Sequence, residues 1–147
     1  MTFPLSAQSL IPHREGMCCI DSILSIEGPR VQAFVKLHPD HLLLGENGTL
    51  DRCGYIELAA QAACALKGVD AAKGRESATA LLASVNNFQL FDDAGTGETL
   101  LISVAITTEL ADLSMLEFNV ACGQRLLARG ELKVFYQADN ERSITAQ

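Results

Sequence analysis

The chain has 147 residues, enough for one ordinary domain with a core of its own. It is 48% hydrophobic and 20% charged, a globular balance, but aromatics are only 5% and tryptophan is absent, so the core must rest on Leu, Ile, Val and Ala. A net charge of −7 argues against a nucleic-acid binder and against general attraction to anionic membranes.

Met1 to Ser6 lacks the charged and apolar regions of a signal peptide, and no run of about eighteen apolar residues is present, so a cytoplasmic protein without a membrane span is expected. A short amphipathic stretch from Leu5 to Leu10 precedes Pro12. Cys18 to Ile26 reads as a strand, Gly28-Pro29 as a turn, and Val31 to Leu37 as a second strand with period-two alternation. His38 to Gly48 carries Pro, Asp, Asn and two glycines and reads as a loop. The alanine- and leucine-rich run from Cys53 to Leu66 predicts a helix, with Asp51 as its cap and Gly68 closing it. Its surface is apolar nearly all round, which predicts a buried helix. Four strands follow, at Ala80 to Leu90, Thr99 to Thr108, Ser114 to Ala121 and Leu126 to Tyr136. Residues 1–137 are expected to form one domain and 138–147 a polar tail.

Two strands, one buried helix and four antiparallel strands make an α+β protein. A sheet that covers an all-apolar helix must curl around it, because a flat sheet touches only one side. That arrangement is the hot-dog fold, a curved antiparallel sheet wrapped on one long central helix. Cys18, Cys19, Cys53, Cys64 and Cys122 form no Cys-x-x-Cys and have no histidine at metal-ligand spacing. They read as small core residues in a reducing compartment, and no metal is expected.

Glu57 and Gln61 interrupt the helix surface and stand one turn apart on one face. A carboxylate on such a helix reads either as an ion-paired surface group or as a general acid–base placed in an apolar pocket. Gln61 is a candidate to orient it.

The motifs resemble the 3-hydroxyacyl-acyl-carrier-protein dehydratases. Leu10-Ile11-Pro12-His13-Arg14 and Met17-Cys18-Cys19-Ile20-Asp21 resemble that family's opening, and Tyr55-Ile56-Glu57-Leu58-Ala59-Ala60-Gln61 its central helix. Leu81 to Phe88, Gly97-Glu98-Thr99-Leu100 and Gly130 to Tyr136 are similar to its later strands. The match is closest to the divergent aryl-polyene, thioester-dehydrase-like branch. The resemblance implies removal of water from a 3-hydroxyacyl chain carried on the phosphopantetheine of an acyl carrier protein, with no cofactor of the enzyme's own. Glu57 takes the place of the family's helix carboxylate, and Gly54 lies in the first turn, where the thioester oxygen is received. The family's Gly-His-Phe-Pro loop is absent; the matching loop is His41-Leu42-Leu43-Leu44-Gly45-Glu46-Asn47-Gly48, with the family position near Leu43 to Gly45. His13 and His41 are the candidates for the missing histidine, while His38 is expected to end a strand in solvent. The resemblance also implies a homodimer or a hot-dog heterodimer, an acyl thioester substrate and an acidic carrier protein as partner. Arg52, Lys67, Lys73 and Arg75 supply a local basic patch for that partner. A catalytically weak partner subunit and a thioesterase on the same fold are the alternatives.

Overall fold

The computed structural model describes residues 2–9, 18–72 and 78–138. Its elements are β1 (Leu5–Ser6), a single 3-10 turn (Ala7–Ser9), β2 (Ser22–Glu27), β3 (Arg30–Lys36), α1 (Arg52–Ala72), β4 (Ala78–Leu90), β5 (Thr99–Leu110), β6 (Leu113–Cys122) and β7 (Arg125–Ala138). The strands form one antiparallel sheet in the order β1-β2-β3-β5-β6-β7-β4. The helix packs against β2, β3, β4, β5 and β6, so the sheet wraps around it in the hot-dog arrangement.

Period-two alternation aims one side of each central strand at the helix. Val31, Ala33 and Val35 of β3, Leu100, Ile102 and Val104 of β5, and Leu116, Phe118 and Val120 of β6 are all buried. The helix meets them with Tyr55, Leu58, Ala59, Ala62, Ala63, Ala65 and Leu66. Its alanines let the helix backbone lie close to the sheet. Gly28 and Gly123 take left-handed backbone angles in the β2–β3 and β6–β7 turns, which glycine enters without a Cβ penalty. Among the described residues no helix is long and apolar enough to cross a membrane.

The structure corrects five local expectations. The first predicted strand begins at Ser22 rather than Cys18, because the Cys19 N–H and carbonyl are engaged by side chains of other elements. A two-residue strand, β1, precedes it, paired through Leu5 with Ile23. Gly68 does not end the helix, which runs on to Ala72; an interior glycine costs only about 1 kcal/mol relative to alanine. The helix is not covered all round: Ile56, Glu57, Ala60 and Cys64 are partly exposed and Cys53 is exposed, at spacings that make one open stripe. Cys53 is therefore not a core residue. Of the expected basic patch, Arg52 is exposed at the start of the helix, whereas Lys73 and Arg75 lie outside the described residues. So do residues 139–147 of the expected tail.

Among the described residues β4 ends the sheet and pairs only with β7. It carries Leu81 and Leu82, respectively 51% and 47% exposed. A long edge strand with exposed leucines is a template for another chain.

Candidate active site

A cavity of about 480 Å³ opens where the first turn of α1 meets the 42–43 loop and the segment leading into β2. Cys19, Leu42, Leu43, Asp51, Cys53, Gly54 and Glu57 line it. The Gly54 N–H donates to the Asp51 carbonyl at 2.8 Å, but the helix dipole is positive at this end, so this wall suits an oxygen that gains negative charge. Gly54 allows a close approach of the helix start to two leucines. A Cβ on it would stand 2.6 Å from Leu50 Cδ1 and 3.4 Å from Leu43 Cβ. The structure thus fits Gly54 to its leucine neighbours, and the turn it belongs to forms the cavity floor. A larger hollow of about 620 Å³ lies on the outer face of the sheet, lined by Arg30, Ser103, Glu117, Asn119, Arg129 and Glu131 among others. It lies away from the helix N-terminus, so the smaller cavity is the candidate site.

Two carboxylates line the cavity, Asp51, which is exposed, and Glu57, which is half-buried. Gln61 donates from Nε2 to Glu57 Oε1 at 2.9 Å, as their four-residue spacing predicts. Gln61 itself is 1% exposed, and its Oε1 accepts the Cys19 N–H at 2.8 Å. His41 bonds the other side of the same residue, with Nε2 2.9 Å from the Cys19 carbonyl oxygen. His41 Nδ1 accepts the Leu43 N–H at 3.1 Å. His38 follows β3 and is exposed, as expected. His13 lies outside the described residues. Of the candidate residues, the structure brings Glu57 and Gly54 to one cavity, with Gln61 buried behind Glu57 and His41 joined to them through Cys19.

Two thiols near Glu57 are held in their neutral form. Burial raises the Cys19 thiol, and the Glu57 charge adds to that against the lowering effect of its bond with Gln61. Burial, then the Glu57 charge, push Cys64 up to about 11. Thiols raised in this way are poor nucleophiles near neutral pH.

Sequence reasoning missed three supports. The Cys19 peptide joins residues far apart in the chain and leaves no local signal. Tyr55, 0% exposed, accepts the Ala94 N–H on its hydroxyl at 2.8 Å and ties the helix start to the 92–95 loop; a tyrosine on a buried helix was the available clue. Burial, more than any other cause, raises its phenol. Arg125 then bridges Asp92 at 3.0 Å and Glu98, while Glu98 accepts the Gly95 N–H at 2.8 Å. That bond first, with contributions from Cys122 and Arg125, holds the Glu98 carboxyl below its ordinary value.

Residues 5–145 match the model of the ApeP-like family, described as ApeP dehydratase. The chain belongs to the ApeP-like dehydratase family. Among solved structures it is similar to the dehydratase heterocomplex ApeI:P from Xenorhabdus doucetiae, at 18% identity, with a TM-score of 0.85 over 97% of each chain. It is also similar to the E. coli PaaI protein of the phenylacetic acid degradation operon, at 14% identity and TM-score 0.60, over 77% of this chain and 80% of that one. A third similar structure is a hypothetical thioesterase from Streptococcus pneumoniae TIGR4 with coenzyme A, at 9% identity and TM-score 0.64, over 79% and 84%. No curated protein matches the sequence. Likeness at these identities carries the hot-dog fold, and the ApeP-like membership carries the dehydratase assignment.

Proposed function

We propose that this ApeP-like chain dehydrates a 3-hydroxyacyl thioester carried on the phosphopantetheine of an acyl carrier protein, giving the 2-enoyl thioester. The observation that carries this reading is Glu57, set in a cavity wall beside the first turn of α1 and clamped by the buried amide of Gln61. In the proposed reaction the thioester oxygen faces the leading N–H groups of the helix, which stabilise it as the C2 proton leaves. Glu57 supplies one of the two proton-transfer roles, removal of the C2 proton or protonation of the departing 3-hydroxyl. His13 is proposed for the other. The C3–O bond breaks, a C2–C3 double bond forms, and the proton and hydroxyl depart together as water. The reaction draws on no metal or prosthetic group of the chain, since phosphopantetheine arrives with the substrate. Exposed Arg52 at the head of the helix is the proposed contact for the acidic carrier, and we place the reaction in the cytoplasm.

A second element of the proposal is a dimer of hot-dog chains joined along β4. Exposed Leu81 and Leu82 on that edge and the open helix stripe beside Glu57 favour it. The likeness to a dehydratase heterocomplex favours a different hot-dog chain as partner, with this chain then completing a shared site. Incubating the chain with a 3-hydroxyacyl carrier protein, alone and with a hot-dog partner, and following loss of water by mass tests both parts. Loss of water by the chain alone, abolished in His13→Ala, supports an independent dehydratase. Activity only with the partner supports the shared site, and hydrolysis of the thioester instead would replace dehydratase with thioesterase.

A further inference from the structure

We propose that His41 is a positioning residue, which fixes the orientation of Glu57 through the Cys19 peptide and the Gln61 amide. The inference rests on the reading of Glu57 as the proton-carrying group.

Four hydrogen bonds run in one direction from a loop backbone to the carboxylate. The Leu43 N–H donates to His41 Nδ1, His41 Nε2–H donates to the Cys19 carbonyl, the Cys19 N–H donates to Gln61 Oε1, and Gln61 Nε2 donates to Glu57 Oε1. Backbone groups settle every polarity in this chain. An amide N–H can only donate, so the Leu43 N–H makes Nδ1 the acceptor and leaves the proton of the neutral ring on Nε2. The Cys19 carbonyl can only accept that proton. On its other side the Cys19 N–H can only donate, so it holds the oxygen of the Gln61 amide and turns the NH₂ group toward Glu57. Because Gln61 and Cys19 are 1% and 3% exposed, water does not compete freely for these groups.

A histidine acting as a base needs an open lone pair facing the substrate proton. In this arrangement the one lone pair in the neutral ring is taken by Leu43, and the other nitrogen already carries a proton. What the ring does instead is join two walls of the cavity, the Leu42–Leu43 loop and Cys19, to the carboxylate opposite. Its absence would leave Gln61 and Glu57 with more orientations, and misplacement of a reacting group by about 1 Å can cost about 100-fold in rate.

The test compares His41→Gln with His41→Ala. A glutamine can place an N–H near the former Nε2 and donate to the Cys19 carbonyl, but it carries no ionisable group. On a 3-hydroxyacyl carrier thioester, His41→Ala is expected to lower kcat by about 10- to 100-fold with little change in KM. His41→Gln is expected to recover most of the loss and keep the shape of the wild-type kcat/KM pH profile. Equal inactivity of both variants, or loss of one limb of the pH profile in His41→Gln, would make His41 a proton-transfer residue and overturn the proposal. Nitrogen NMR of the ring and of the Gln61 side-chain amide separates this from failure of the dehydratase reading, because neither signal needs turnover. The proposal requires the Nε2–H tautomer and a shift of the Gln61 amide resonances in His41→Ala; unmoved Gln61 resonances refute it even in a chain that dehydrates nothing.

Discussion

Replacing Gln61 by methionine removes its bonds to Cys19 and Glu57 while nearly preserving the volume of a buried side chain. The Cys19 N–H then loses its 2.8 Å partner in a site 3% exposed to solvent. A buried donor deprived of its acceptor costs about 1–3 kcal/mol. For a chain of this size a loss of 1 kcal/mol lowers Tm by roughly 3 °C, so a fall of about 3–9 °C is expected. Methionine fits the space, so no cavity term adds to this figure. Glu57 also loses the 2.9 Å bond that orients it, and turnover should fall by about 100-fold, as for other misplaced reacting groups. Thermal unfolding followed by circular dichroism reads the first effect, at equal protein concentration because association shifts Tm. Product mass reads the second. A variant with wild-type Tm and wild-type turnover would refute the claim that Gln61 links Cys19 to Glu57.

Gly54→Ala should destabilise by up to about 2 kcal/mol, overpacking against Leu50 of about 1–3 kcal/mol less about 1 kcal/mol of helix propensity, and Leu50→Ala should relieve part of that cost in the double variant; additive denaturation energies would contradict the packing. Alkylation near neutral pH should modify exposed Cys53 first and spare Cys64, as peptide mass mapping would read; equal labelling would mean that Cys64 is not shielded. Cys64 has a folded value of about 11 against 9.0 unfolded. Its neutral thiol therefore favours the folded state fully below 9.0, and that contribution is lost as pH rises through about 11. Cys64→Ala should flatten the alkaline arm of the stability curve, and an unchanged arm would remove Cys64 as its source. Tyr55→Phe should cost about 1–3 kcal/mol by depriving the Ala94 N–H of its acceptor; hydrogen exchange at Ala94 should quicken in parallel, and unchanged exchange would contradict the tie.

The helix and the central strands were legible because their signals are local. Alanine and leucine content marks α1, and alternation over residues 100–104 and 116–120 marks inner faces that the structure buries. The four-residue spacing of Glu57 and Gln61 likewise anticipated their bond. What was hidden depends on groups distant in sequence. Cys18 to Asp21 has strand-like residues, yet Cys19 spends its backbone groups on Gln61 and His41, 42 and 22 residues away. The open stripe on α1 was marked in the sequence by Glu57 alone, because Cys53, Ile56, Ala60 and Cys64 are as apolar as the residues of the buried sides. His41 could be placed in the right loop by sequence, but its two ring contacts come only from the fold.

The most direct test of the account is loss of water from a 3-hydroxyacyl carrier thioester by wild type and by Glu57→Gln, assayed side by side under the conditions that support wild-type activity. The account predicts a folded Glu57→Gln variant that forms no enoyl product while wild type does. Undiminished product from Glu57→Gln would remove the carboxylate, and with it the proposed site, from the chemistry.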